Sequence, residues 1–185
     1  MKRDRLKKLN QGITRCKKCD LWKTRKNTVS GEGPGRAKIM IIGQAPGREE
    51  DCSGKPFIGR AGKLLDKLLD LAEIKRKNVF ITSPIKCFPP KNRKPTKNEI
   101  ESCLPYLKKQ IQIINPHKFI LLGGVAFKIF FPDEKLKNLR GKWIKKDRKL
   151  YFPTYHPAAG LRFPKIRTYL RRDFARLRQN LECSA

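Results

Sequence analysis

Four short apolar stretches stand out along the chain, each ending at a glycine, a proline or a polar turn. A short apolar run bounded in this way is typical of a strand that is buried on both faces of a sheet. The predicted strands are residues 38–42, 78–83, 118–122 and 150–154.

Helical patterns occupy the intervals between these strands. The interval before the third strand opens with Pro95 and with a capping box formed by Thr96 and Glu99, which predicts a helix start there. We expect Pro105 to kink this helix. Apolar residues share one face in each of three predicted helices: Leu64, Leu65, Leu68, Leu71 and Ala72; Ile100, Leu104, Leu107, Ile111 and Ile114; and Ile166, Tyr169, Leu170, Phe174, Leu177 and Leu181.

The alternation of strands and helices predicts parallel strand pairing. We therefore expect a single α/β domain over residues 1–185, with three α/β/α layers and a central parallel sheet of four strands. In such folds ligands bind beyond the carboxyl ends of the strands. The segments predicted at those ends are 43–47, 83–84, 123–124 and 155–157.

The charge of the chain narrows the range of partners. Its 185 residues include 45 Lys and Arg against 16 Asp and Glu, a formal net charge of +29. A polyanion is the expected partner, and nucleic acid is the commonest one. Adaptation to heat is an alternative source of a lysine-rich surface. The positive charge is concentrated in residues 135–149 and 162–178.

The N-terminus lacks the apolar core of a signal peptide, and no apolar stretch is long enough to span a membrane. We therefore expect an intracellular, cytoplasmic protein. In that setting the six cysteines are better explained by metal ligation than by disulfides. Cys16 and Cys19 form a C-x-x-C pair, with Cys87 and Cys103 further along the chain. Four thiolates suit either zinc or an iron–sulfur cluster, and the residues alone leave that choice open.

Three motifs and the cysteines together resemble the uracil-DNA glycosylase superfamily, most closely its iron–sulfur branch, family 4. The motifs are residues 43–47 (GQAPG), 54–62 (GKPFIGRAG) and 156–162 (HPAAGLR). The resemblance implies a monofunctional repair enzyme that hydrolyses the bond between uracil and deoxyribose, on single- or double-stranded DNA, and acts as a monomer. It divides the chain into a cluster-binding segment of about 1–35 and a catalytic core of about 36–182.

The resemblance also implies roles for individual residues. His156 and Gln44 match catalytic positions, and His156 would donate a hydrogen bond to uracil O2. Phe57 would stack on the extruded base, and Leu161 would insert into the vacated base stack. The other implied positions are Ala45, Glu50 and Ser83 for substrate, Arg162, Arg167 and Arg171 for DNA, and Cys16, Cys19, Cys87 and Cys103 for a structural [4Fe–4S] cluster. Cys52 and Cys183 match no ligand position.

The chain departs from the family pattern at two substrate positions. Gln44 stands where family 4 usually has glutamate, and Ser83 stands where it usually has an asparagine that pairs with the uracil edge. A serine offers only one short hydroxyl. One alternative is therefore a glycosylase with altered or broader base choice, such as hypoxanthine or xanthine. A second is a non-catalytic nucleic-acid-binding protein that holds iron–sulfur or zinc.

Overall fold

A computed structural model describes residues 1–182 of the chain, with side chains described up to Gln179; Cys183 and the side chain of Leu181 lie outside the described residues. Its centre is one five-stranded sheet in the order β2-β1-β3-β5-β4. The strands are β1 (Ile39–Ile42), β2 (Val79–Thr82), β3 (Lys118–Leu122), β4 (Ile144–Lys146) and β5 (Lys149–Thr154).

The first four strands of this order are mutually parallel, which confirms the predicted parallel sheet. The predicted number of strands was wrong, because β4 adds an antiparallel edge beside β5. Its sequence is Ile-Lys-Lys, and both lysines are exposed. A charged edge strand lacks the apolar run by which the buried strands are recognised.

Eight helices surround the sheet in the described residues. They are α1 (Lys2–Thr14), α2 (Arg48–Ser53), α3 (Arg60–Leu71), α4 (Lys97–Ile114), α5 (Gly124–Phe130), α6 (Leu136–Leu139), α7 (Pro157–Arg162) and α8 (Pro164–Glu182). The predicted capping box is present: Glu99 N donates to Thr96 Oγ1 at 3.2 Å, and Thr96 N donates to Glu99 Oε2 at 2.8 Å. Helix α4 continues past Pro105 as one element.

Buried side chains alternate between two apolar clusters, one on each face of the sheet. Met40 and Ile42 join the cluster beneath α1, α4 and α5, whereas Ile41 joins the cluster beneath α3 and α8. This alternation follows from the period of two along a strand. It confirms the three-layer arrangement.

The N-terminal segment, residues 1–35, packs against the same core. Leu6 of α1 is buried in the cluster beneath α1, α4 and α5. Further along, the buried carboxylate of Asp51 accepts hydrogen bonds from the backbone N–H groups of Lys26 and Asn27. Glu32 forms an antiparallel bridge with Ile81 at the outer edge of β2. No helix in the part of the chain that the structure describes is long and apolar enough to cross a membrane.

A buried ion pair fixes the carboxyl end of β5. Asp173 of α8 is fully buried; it accepts a hydrogen bond from Thr154 Oγ1 at 2.6 Å and forms an ion pair with Arg140. The backbone carbonyl of Thr154 accepts a hydrogen bond from Gly123 N at 2.8 Å. These contacts join α8, β3 and the segment before β4 to the end of β5.

Replacing Asp173 with alanine should lower the free energy of unfolding by about 3–5 kcal/mol, because Arg140 would be left as a buried charge without its partner. Chemical denaturation measures the change. The matched control is Glu101→Ala, which breaks the exposed pair with Lys97 and should cost at most about 1 kcal/mol. Equal losses in the two variants would contradict this reading.

Candidate active site

The carboxyl ends of β1, β2, β3 and β5 meet at one edge of the sheet because the four strands are parallel. Gly43 N donates to Thr82 O at 2.8 Å, which joins the segments that follow β1 and β2. His156 follows β5 by two residues and is the N-cap of α7. The structure therefore brings the predicted segments 43–47, 83–84 and 155–157 to a common edge.

Phe57 and His156 form an aromatic pair at this edge. Their rings stack with centroids 5.6 Å apart and an angle of 28° between their planes. The Phe57 ring lies directly on Gly43, where a Cβ would come within 2.8 Å of two ring carbons. A Cβ at Gly62 would lie 1.9 Å from Phe57 O, so the backbone of Phe57 also needs a glycine beside it. Two glycines thus set the position of Phe57.

The hydrogen bonds of His156 define its neutral tautomer. Ala158 N donates to His156 Nδ1 at 3.2 Å, so Nδ1 carries no proton and the proton of the neutral ring resides on Nε2. Nε2 is buried and has no hydrogen-bond partner among the described residues. A buried donor without an acceptor is costly and marks a position for a missing partner.

Burial also keeps the His156 ring neutral. It lowers the pKa of His156 to about 4, and the Glu50 carboxylate acts in the opposite direction. Desolvation penalises the charged imidazolium, which accounts for the sign. At neutral pH His156 can therefore act as a hydrogen-bond donor through Nε2 without carrying a charge.

Glu50 connects α2 to the loop that carries Phe57. Its carboxylate accepts hydrogen bonds from the backbone N–H groups of Gly47, Ile58 and Gly59, each at 3.0 Å. The side chain thereby holds the first motif and the Phe57 loop together. These three hydrogen bonds stabilise the contact between the loop after β1 and the loop that carries Phe57.

The remaining predicted substrate residues lie at the same edge but differ in what their side chains contact. The Ser83 hydroxyl donates to Ile85 O at 2.5 Å and is buried. Gln44 is half-buried, and its side-chain amide makes no hydrogen bond within residues 1–182. Ala45 packs against a small apolar cluster that includes Cys87 and Cys103.

Lys86 contributes to the site although its position in the sequence does not predict it. Its side chain is 1% exposed, and Nζ donates to Thr82 Oγ1, Ser83 O and Gln110 Oε1 at 2.6, 2.6 and 2.7 Å. The ammonium group therefore fixes the turn after β2 from inside the core. A lysine in a short loop sequence carries no signal of such burial, since lysine is rarely buried.

The four predicted cysteine ligands line one small cavity next to this turn. Cys87 and Cys103 are buried, Cys16 and Cys19 are half-buried, and Arg25 Nη1 contacts Cys87 Sγ at 3.2 Å. Burial raises the pKa of Cys87, and that of Cys103 to about 11. Deprotonated ligands at these positions therefore require a compensating positive charge.

The residues that line this cavity include four thiols and two basic side chains. No three His, Cys, Asp or Glu side chains among the described residues are arranged to hold one metal ion. A zinc ion would require four sulfurs about 2.3 Å from one point. Four cysteines that line one cavity together with the basic residues Arg25 and Lys86 fit an anionic, thiolate-bound metal group.

The predicted DNA-binding residues lie on α7 and α8. Arg162, Arg167 and Arg171 are exposed, and their side chains form no ion pair or hydrogen bond within the described part of the chain. Leu161 is half-buried. The three arginines extend a cationic surface away from His156 along the two helices.

Comparison with known proteins identifies the class. Residues 30–178 match the family described as the uracil DNA glycosylase superfamily. The chain is 45% identical to a type-4 uracil-DNA glycosylase of Saccharolobus solfataricus, over 96% of this chain and 87% of that protein. It is 44% identical to one from Pyrobaculum aerophilum over 92% and 91%, and 40% identical to one from Thermotoga maritima over 83% and 82%.

The chain therefore belongs to the uracil-DNA glycosylase superfamily and, within it, to the type-4 family. The resemblance inferred from three motifs and four cysteines is confirmed.

The tautomer and charge of His156 can be tested without substrate. Nitrogen NMR over pH 3–8 should show His156 neutral at pH 7, with the proton on Nε2 and a pKa near 4. Replacing Phe57 with alanine should raise that pKa toward the ordinary value near 6.5, because water would reach the ring. A His117→Gln variant assigns the two histidine signals. A proton on Nδ1, or titration of His156 near 6.5 in the unaltered protein, would contradict the assignment.

Proposed function

We propose that the protein is a DNA repair enzyme that hydrolyses the N-glycosidic bond of uracil in DNA and leaves an abasic site. The observation that carries the proposal is the buried, unpartnered Nε2–H of neutral His156 beside Phe57. The names of the type-4 relatives agree with it.

His156 stabilises the leaving group. As the bond between uracil N1 and deoxyribose C1′ breaks, its electron pair passes to the uracil ring and negative charge develops on O2. A fixed, desolvated donor aimed at developing charge is worth about 3–4 kcal/mol. The bound uracil O2 is the acceptor that Nε2–H lacks in the free protein. Water forms the new bond to C1′, and one of its protons is released.

Phe57 and Glu50 shape the base site. The extruded uracil stacks on the aromatic face of Phe57, an interaction worth about 1–3 kcal/mol. Glu50 holds the two loops around that face through its three backbone hydrogen bonds. Gln44 and Ala45 line the site from the end of β1. Alanine at position 45 supplies no carboxylate to activate the attacking water. Stabilisation of the leaving group therefore accounts for a larger share of the rate enhancement.

Arg162, Arg167 and Arg171 bind the phosphate backbone next to the base site. Such contacts position the nucleic acid without reading its sequence. The exposure of the three guanidinium groups and their lack of acidic partners in residues 1–182 support this role. The net charge of +29 adds long-range attraction to DNA.

Cys16, Cys19, Cys87 and Cys103 hold a [4Fe–4S] cluster. Their convergence on one cavity and the adjacent cations Arg25 and Lys86 support the assignment. The cluster has a structural role, because it would join α1, the Asp20–Lys23 turn, α4 and the turn after β2. Lys86 connects that cavity to the Ser83 carbonyl, so the cluster supports the base site indirectly.

A second candidate function is excision of other deaminated bases together with uracil. The Ser83 hydroxyl is committed to Ile85 O and is not free to contact a base. The side chain at position 83 therefore does not discriminate between uracil and other bases. A panel of oligonucleotides containing uracil, hypoxanthine, xanthine or thymine mismatches measures the base choice.

Replacing His156 with alanine should lower single-turnover excision of uracil by about 10²–10³-fold, since it removes the donor to O2. Affinity for the same oligonucleotide should be nearly unchanged. His117→Ala is the matched control, because His117 is exposed and lies before β3. If His156→Ala retained full excision, the proposed mechanism would fail; if the unaltered protein bound DNA but excised no base, the non-catalytic alternative would stand.

Replacing Cys103 with serine should remove most of the bound iron and the broad visible absorbance of the purified protein, and should lower its melting temperature. Cys52→Ser is the control, because Cys52 is exposed and lies outside the cavity. Metal analysis that found stoichiometric zinc and no iron would reject the cluster.

A further inference from the structure

Phe163 is an aromatic side chain left in solvent. It is 56% exposed, the most exposed large apolar side chain of the described residues after Met1. It occupies the junction between α7 and α8. A single exposed apolar residue is ordinary, so the backbone geometry and surroundings of Phe163 decide whether it has a role.

The backbone of Phe163 is held from both sides. Phe163 N donates to Ala159 O at 2.9 Å, and Phe163 O accepts from Ile166 N at 3.0 Å and from Arg167 N at 3.1 Å. The residue thus ends one helix and begins the next. The ring therefore projects from a fixed point, and little conformational entropy is lost when it meets a partner.

Cationic residues surround this point. Arg162 and Lys165 are exposed on either side in the chain, and Arg167 is exposed one turn into α8. None of the three side chains has an acidic partner within residues 1–182. An aromatic ring set among free cations is the combination that binds nucleic acid, with the ring stacking on bases and the cations contacting phosphates.

Phe163 lies close enough to the base site to contact a base next to the extruded nucleotide. His156 caps the N-terminus of α7, and Phe163 caps its C-terminus. At 1.5 Å per residue the seven steps from residue 156 to residue 163 separate the two caps by roughly 10–11 Å along the helix axis. An extruded nucleotide rotates about its own backbone, so the stack that it leaves stays next to the base site.

Leu161 is a poorer candidate for that vacated position. It is half-buried on α7, which packs against both α3 and α8. The neighbouring Gly160 is buried, and a Cβ there would lie 2.7 Å from Leu170. Helix α7 therefore has its apolar side against the core, whereas Phe163 lies beyond its end.

We propose that Phe163 stacks into double-stranded DNA at the position vacated by the extruded nucleotide and holds that nucleotide in the base site. This inference rests on the proposed function. It replaces Leu161 with Phe163 as the inserted side chain. Phe163 is a positioning residue, because its contact is with the flanking base pair and not with the scissile bond.

The test compares uracil excision from a duplex with excision from a single strand of the same sequence. In a duplex the extruded base leaves a stack that can close again, whereas a single strand has no such competing state. Replacing Phe163 with alanine should lower single-turnover excision from the duplex by about 10- to 100-fold, the loss expected for one stacking contact. Excision from the single strand should change by less than about threefold, which is well below the loss expected when one stacking contact is removed.

Three further variants make the result specific. Phe163→Trp keeps an aromatic ring and should restore most of the duplex activity. Leu71→Ala removes an exposed apolar side chain at the far end of α3 and should leave both rates unchanged. Leu161→Ala should lose less on the duplex than Phe163→Ala. Equal losses on the two substrates, no loss on the duplex, or a larger duplex loss in Leu161→Ala would overturn the inference.

A binding measurement separates this inference from the proposed function. A 2-aminopurine base placed next to uracil in the duplex reports stacking through its fluorescence, without any excision. The unaltered protein and Phe163→Trp should change this fluorescence, and Phe163→Ala should not. If no base were excised but this pattern held, the proposed function would fail and the stacking role would stand. The same fluorescence change in Phe163→Ala would overturn the stacking role.

Discussion

The site depends on one hydrogen bond, from Ala158 N to His156 Nδ1. This bond uses the lone pair of Nδ1, so the proton of the neutral ring must lie on Nε2. That atom is buried and has no hydrogen-bond partner in the described residues. Burial holds the pKa of His156 near 4, which prevents the ring from ionising at neutral pH. Other parts of the site keep this donor in place: Asp173 fixes the end of β5, and Glu50 holds the Phe57 loop beside the ring.

Two neighbouring sites meet in the turn after β2. Lys86 binds the Ser83 carbonyl from within the core, and the next residue, Cys87, faces the cysteine cavity. In the proposed enzyme the metal cluster and the base site therefore share one short segment. Burial lowers the pKa of Lys86 to about 7, and its three acceptors satisfy the amino group within the core.

The sequence predicts the buried strands and the start of α4 well, because both leave strong local signals. Strands buried on both faces appear as unbroken apolar runs, and the Thr96–Glu99 box marks the start of α4. Helix α1 escapes prediction because it buries only Leu6 and Ile13 among many charged residues. Lys86 could not be found, since lysine is rarely buried and its burial depends on how the turn after β2 packs against Gln110 of α4. Asp173 did leave a signal, as the single acid within the basic segment 162–178.

A neutral imidazole, acting as a donor from Nε2, is proposed to promote departure of the base. The pH dependence of the single-turnover excision rate tests it most directly, because this rate excludes product release. With a pKa of about 4 for His156, the neutral form predominates throughout the range from pH 5.5 to 8. The rate should be level across that range and should fall on acidification toward pH 4. A rate that declines as the pH rises through about 6.5, the ordinary histidine pKa, would mean that the imidazolium is the active form and would rule out the neutral donor.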